Sequence, residues 1–140
     1  SGARVLDLFA GTGALGLEAL SRGAAFALFV DEAAEARGTI RANLARLGLT
    51  GLARVWRRDA TRLGTLAGQA PFTLVFCDPP YGKGLGEAAL AAALAGGWIA
   101  PEAVVVLEEA RSAGPVVVPG LEPIDRREAG ESALQIYRPA

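Results

Sequence analysis

VLDLFAGTGALGLEAL, residues 5–20, is the stretch whose reading decides the fold. Val5 to Phe9 is a run of strand length, apolar but for Asp7, Gly11 and Gly13 follow it, and Ala14 onward is rich in helix formers, so the segment reads as strand, tight turn and helix. Gly11, Gly13 and Gly16 fit G-x-G-x-x-G, where missing side chains permit a sharp turn and close approach of a ligand to the backbone. Such a loop predicts a nucleotide-like cofactor without saying which. Asp31, twenty residues after Gly11, ends the next apolar run and suits ribose hydroxyls; Glu32 follows it and opens a helix. These features are common to nicotinamide and S-adenosylmethionine enzymes.

Working outward, strand-like runs alternate with Ala-, Leu- and Arg-rich stretches, the pattern of an α/β protein with a parallel sheet. Strands are expected at about Arg4–Phe9, Phe26–Asp31, Ala53–Arg57, Thr73–Cys77 and Val104–Glu108. Helices are expected near Ala14–Arg22, Ala33–Leu47 and Gly86–Leu94, with a short one around Thr61–Leu66. After Pro119-Gly120 the pattern changes. Glu122–Glu128 and Ser132–Arg138 flank Gly130 and read as an antiparallel hairpin finishing the sheet.

The fourth run ends in Asp78-Pro79-Pro80-Tyr81, which carries the chemistry. The lone pair of a nucleobase amino group is delocalised into its ring, so that nitrogen is a poor nucleophile until acceptors aimed at its N–H bonds make it more pyramidal. Asp78 offers a carboxylate. Pro79 offers a main-chain carbonyl, fixed because the two prolines restrict the backbone. Tyr81 offers a ring to stack on an unstacked base, worth roughly 1–3 kcal/mol. Two prolines alone would mean only a turn; an acid before them and an aromatic ring after them, at a strand end beside a cofactor loop, point to methyl transfer onto a planar amine.

The other acids narrow the cofactor. Asp7 closes the first strand, where a carboxylate would face a cationic amino-acid moiety well and a pyrophosphate badly. Asp59 follows the third strand and suits either an adenine amino group or a helix N-cap. Asp7, Asp31, Asp59 and Asp78 therefore ring the expected cleft and favour a ligand with an ammonium and a sulfonium. Phe9, Glu32 and Ala60 complete the expected cofactor set. Lys83, among the glycines after Tyr81, and Arg57 and Arg58 are candidate RNA contacts; Arg54 with them, and Arg126 with Arg127, also form basic clusters, although charge runs are usually solvated faces.

Composition bounds the rest. A chain of 140 residues, 51% hydrophobic, is one domain with a real core. No apolar stretch approaches the roughly 18 residues that span a bilayer, and no signal-peptide pattern opens the chain, so a cytoplasmic protein without a membrane partner is expected. With no histidine and only Cys77, metal and Ser-His or Cys-His chemistry are not expected, and Cys77 reads as a small buried residue. The net charge of −1 is not that of a free-standing nucleic-acid binder, yet all but one of the 14 basic residues are arginine, the residue suited to phosphate contacts. Without an initiator Met before the first strand, a missing amino-terminal segment is expected.

The strings VLDLFAGTGALGLEALSRGA (5–24), FVDEAAEA (29–36), RRDATRL (57–63), FCDPPYGKGL (76–85), GWIAPEAVVVLE (97–108) and SALQIYRP (132–139) resemble the bacterial methyltransferases that modify the N2 amino group of a guanine in small-subunit (16S) ribosomal RNA. The resemblance spans nearly the whole chain. It implies a Rossmann-like α/β methyltransferase fold with a seven-stranded, mostly parallel sheet, an antiparallel last strand and helices on both faces. It also implies S-adenosylmethionine as donor and ribosomal RNA, within a partly assembled small subunit, as partner of a monomeric enzyme. Carried over by position, Asp7, Gly11 and Gly13 would hold the methionine part, Asp31 the ribose, Asp59 the adenine, and Asp78 to Tyr81 the target base, whose amino nitrogen attacks the sulfonium methyl in line. The resemblance also implies a basic segment before the first strand, which is the segment expected to be missing ahead of Ser1. Three rival readings remain: an adenine-N6 methyltransferase of DNA or RNA, a nicotinamide-dependent oxidoreductase, and a non-catalytic cofactor-binding partner.

Overall fold

The computed structural model describes residues 2–140. Seven strands, β1 (Arg4–Leu8), β2 (Phe26–Val30), β3 (Ala53–Trp56), β4 (Phe72–Cys77), β5 (Ile99–Ala110), β6 (Leu121–Ala129) and β7 (Ser132–Pro139), form one sheet in the order β3-β2-β1-β4-β5-β7-β6. Pairs from β3 through β5 are parallel, whereas β7 runs antiparallel to both neighbours. Helices α1 (Ala14–Ser21) and α2 (Ala34–Leu47) pack on one face, and α3 (Leu85–Ala95) with a 3₁₀ turn at Ala60–Arg62 on the other. This is the expected Rossmann-like methyltransferase fold with its reversed last strand.

Period-two alternation places the core. Val5, Ala27 and Phe29 face Leu17, Leu20, Ile40 and Leu44 of α1 and α2, while Leu6, Leu28, Val75, Val105 and Leu107 face Ala89, Leu90 and Ala93 of α3. Because β1 and β2 are covered on both sides, β2 reads as a continuous apolar run and β1 as one broken only by Asp7 after Arg4. Strand β6 lies at an edge, which fits its Pro123 and its five charged residues between Glu122 and Glu128.

Two elements differ from the sequence reading. Strand β5 starts at Ile99 rather than Val104; the register jumps from Phe72↔Ile99 to Leu74↔Val104, and this bulge absorbs Pro101, which cannot serve a regular ladder. The helix expected at Thr61–Leu66 is a single 3₁₀ turn at Ala60–Arg62, capped by Leu63 and followed by Gly64 at φ +71. Among the described residues no helix is long and apolar enough to cross a membrane.

Candidate functional site

Each parallel strand passes its chain to a loop at the same end of the sheet, and backbone hydrogen bonds tie those loop starts to the neighbouring strand. Ala10 N donates to Val30 O at 3.1 Å, Asp31 N to Trp56 O at 3.1 Å, and Asp78 N to Leu8 O at 3.3 Å. Asp31 and Asp78 are thereby fixed at that end, with Asp7 of β1 close to both, whereas Asp59 lines none of the clefts described below. Phe9 turns the chain with φ +56, a left-handed conformation costing a non-glycine residue about 1–3 kcal/mol. That turn puts Phe9 on two adjoining clefts.

The first cleft, about 240 Å³, is lined by Asp7, Phe9, Gly11, Leu15 and Asp78 among others. Asp7 is 2% exposed and its Oδ2 accepts from Gly16 N at 3.1 Å. Burial raises its pKa to about 7, against the backbone hydrogen bond and helped by the nearby charges of Asp78 and Asp31. Gly11, at φ +59, would point a Cβ into open space, with Phe9 O at 4.0 Å its nearest neighbour. Gly16 has the opposite role: an added Cβ would lie 2.4 Å from Phe29 Cε1, so its absence lets α1 pack on the sheet.

The second cleft, about 260 Å³, is lined by Phe9, Asp31, Glu32, Arg58, Ala60 and Pro80 together with Val30, Ala33 and Leu85. Asp31 does more than end its strand: Oδ2 accepts from Gly11 N and Oδ1 from Ala33 N, both at 2.9 Å, clamping the glycine loop to the start of α2. A carboxylate has about four lone-pair sites, so acceptor capacity for a diol remains. Asp59 caps the 3₁₀ turn; its Oδ1 accepts from Thr61 N at 2.8 Å and Thr61 Oγ1 at 2.7 Å, and these bonds hold its pKa below the usual range. Arg58 is drawn into packing, its guanidinium 4.8 Å over the Trp56 ring and donating to Leu63 O at 3.0 Å.

The Asp78–Tyr81 tetrapeptide leaves β4 between these clefts and a larger one. Pro79 is buried, Pro80 exposed, and Asp78 lines the first cleft while Tyr81 lines a cleft of about 660 Å³ bounded by Arg111, Ser112, Glu128, Gly130 and Glu131. Partial burial raises the Asp78 pKa, and the charges of Glu108 and Glu109 add to it. Gly86, whose added Cβ would lie 2.7 Å from Leu107 Cδ1 and 3.1 Å from Pro79 Cγ, allows α3 to begin against the prolines. Burial pushes the Cys77 thiol up, so it is no nucleophile.

The structure brings Asp7, Phe9, Gly11, Asp31, Glu32, Ala60, Asp78, Pro80 and Tyr81 onto these clefts. Gly13 instead underlies the loop: it is buried, at φ +79, with Ile40 Cγ1 3.0 Å from an added Cβ. Lys83 and Arg57 are exposed and line none of these clefts. Arg126 and Arg127 pair with Glu128 and Asp125, which offsets much of their charge. Sequence reasoning left Glu108 and Glu109 without a role. Glu108 Oε2 accepts from the Tyr81 hydroxyl at 2.8 Å, and Glu109, 6% exposed, accepts through Oε1 from Gly82 N at 3.3 Å and Ala110 N at 2.8 Å.

A family model described as Conserved hypothetical protein 95 matches residues 1–138. The chain belongs to this family. It is also homologous to small-subunit ribosomal RNA methyltransferases: Ribosomal RNA small subunit methyltransferase D of Escherichia coli K12 is 38% identical over 137 residues, 97% of this chain and 68% of that protein. The Bacillus subtilis protein YlbH is 49% identical over 82 residues, 57% of this chain and 45% of that one. Among solved structures, yhhF from Escherichia coli superposes with a TM-score of 0.87 at 37% identity, covering 99% of this chain and 78% of that one. The chain thus spans about half to two thirds of the length of these curated relatives.

Proposed function

We propose that this chain is the catalytic domain of an S-adenosylmethionine-dependent methyltransferase that modifies the N2 amine of a guanine in small-subunit ribosomal RNA, working in the cytoplasm on a partly assembled subunit. One observation carries the reading: Asp78-Pro79-Pro80-Tyr81 separates the two clefts of the glycine-loop side from the large cleft under Tyr81, so a donor and an acceptor would meet at Asp78.

The residues fit the donor. Gly11 leaves open space where a side chain would intrude, and the first cleft carries the carboxylates of Asp7 and Asp78, which attract an ammonium and a sulfonium and repel a pyrophosphate. Asp31 and Glu32 would take the ribose hydroxyls, and Phe9 and Ala60 the adenine side, with Oδ2 of Asp59 left to accept from its amino group. When bound, S-adenosylmethionine supplies an already activated methyl group. The chain's own work is positioning. Asp78 and the Pro79 carbonyl accept from the two amino N–H bonds and localise the nitrogen lone pair, while Tyr81 stacks on the base face. Asp78 or water takes the surplus proton. The name of the Escherichia coli relative supports the small ribosomal subunit as target, and the guanine N2 position rests on the sequence resemblance.

The test is transfer of labelled methyl from S-adenosylmethionine to undermodified small-subunit particles, followed by nucleoside analysis. Label in N2-methylguanine is expected. Asp78→Ala should abolish transfer while S-adenosylhomocysteine still binds. Label in N6-methyladenine would overturn the acceptor, and binding of NAD in preference to S-adenosylhomocysteine would overturn the donor.

A further inference from the structure

Glu108 and Glu109 point to opposite faces of β5, yet both reach the loop that follows the prolines. From one face Glu108 takes the Tyr81 hydroxyl at 2.8 Å; from the other the buried Glu109 takes Gly82 N. The loop therefore straddles the end of a strand 27 residues away in sequence. A tyrosine that is 43% exposed at the rim of a wide cleft has little packing to fix its ring, so these polar contacts set its orientation.

We propose that Glu108 is a positioning residue that holds the Tyr81 ring in the pose in which it stacks on the acceptor base. The proposal rests on the function given above and extends it to a residue outside the tetrapeptide. The step is geometric, because a tethered ring presents one face to the cleft, and an untethered one must be ordered each time a base arrives. Glu108 does this as a hydrogen-bond acceptor for a neutral phenol, not as a charge offered to the substrate. Its neighbours agree: Asp78 and Glu109 are acidic too, the phenol pKa is raised mainly by the Glu108 hydrogen bond, and Tyr81 stays protonated at working pH.

The experiment is a double-mutant cycle with a titration. Glu108→Ala and Tyr81→Phe should each lower kcat/KM on small-subunit particles by roughly tenfold, the scale of one lost hydrogen bond to a charged group. The double variant should be no worse than either alone, since both break the same contact. Glu108→Gln, whose amide oxygen still accepts, should stay within about threefold of the parent. Affinity for S-adenosylhomocysteine should not change in any variant, because Glu108 lines neither cofactor cleft, and this also reports that the variants fold. The chain has two tyrosines, and Tyr137 lies away from Glu108 with its phenol raised to about 12, so ultraviolet titration of Glu108→Ala should show one phenol step, that of Tyr81, shifted down from its place in the parent. Additive losses, or a Glu108→Gln variant as poor as Glu108→Ala, would overturn the proposal. The titration needs no substrate: absent methyl transfer by the parent chain counts against the proposed function, whereas an unmoved phenol counts against Glu108.

Discussion

Asp7→Asn should remove most of the pH dependence of the ligand-free protein's stability between pH 5 and 7.5. The carboxyl is 2% exposed, with Gly16 N its one hydrogen-bond donor among the described residues, so burial favours the protonated form and raises the pKa from 3.8 to about 7. The sign follows from proton counting. Between these two values the folded chain holds a proton that the unfolded chain has released, so stability falls as pH rises through that window. At 1.36 kcal/mol per pH unit the full effect is about 4 kcal/mol, of which about 2–3 kcal/mol lies between pH 5 and 7.5. For a chain of this size that corresponds to roughly 6–12 °C in Tm. The carboxylates whose pKa values are lowered, Asp59, Asp125 and Glu128, act oppositely and in a more acid window, their stabilisation being lost as pH falls through those values. Asparagine keeps an oxygen for Gly16 N and cannot ionise, so the difference between parent and variant isolates Asp7. The assay is thermal unfolding of both proteins at pH 5 and pH 7.5. Parallel Tm changes in the two would show that Asp7 is ionised at both pH values and would refute burial as the force that holds its proton.

Three further outcomes follow from the same geometry. Gly11→Ala meets open space but a positive φ, so it should cost only about 1–2 kcal/mol of stability in denaturant unfolding while weakening S-adenosylhomocysteine binding more than tenfold, because the new methyl enters the cleft. Gly16→Ala drives a methyl to 2.4 Å from Phe29 Cε1 and 3.1 Å from Asp7 Oδ2; calorimetry should show a loss of about 1–3 kcal/mol, outweighing the roughly 1 kcal/mol gained in helix propensity. Trp98→Phe keeps the stack on Phe72, 6.1 Å between centroids, but removes the bond from Nε1 to Gly64 O at 2.8 Å, and should cost about 1–3 kcal/mol in urea unfolding by leaving that carbonyl unpaired.

What was legible in the sequence is what local pattern controls. The step from Leu8 through Gly11 and Gly13 into Ala14, the buried runs of β1 and β2, and the hairpin around Gly130 all follow from periodicity and backbone freedom within about ten residues. The tetrapeptide was legible because its residue types have a joint meaning at a strand end. Other features depend on contacts distant in sequence. Pro101 argues against a strand unless a bulge takes it up, and that bulge is visible only in the pairing of β4 with β5. The entry of β7 between β5 and β6 depends on which strand can bury Tyr137 and Ala133, while β6 keeps its charged side chains at the edge. Asp31 was readable as an acid at a strand end, but not as the clamp on Gly11 N. Glu108 and Glu109 gave no signal, since a partner 27 residues away leaves no periodic trace.

The clustering of acids at one end of the sheet has an energetic meaning of its own. Asp7 is destabilised as a carboxylate by burial and by Asp78 and Asp31, and Asp78 by burial and by Glu108 and Glu109. Folding alone would favour replacing Asp7 with an apolar residue, because its single backbone bond to Gly16 does not offset the desolvation. A cation in the first cleft reverses that balance by stabilising the charged form of both acids, so the strain of the free site becomes part of the affinity for a positively charged ligand. A pyrophosphate at the same position would deepen the repulsion. The glycine loop alone leaves the cofactor class open; under the proposed function the buried Asp7 behind it would supply the discrimination.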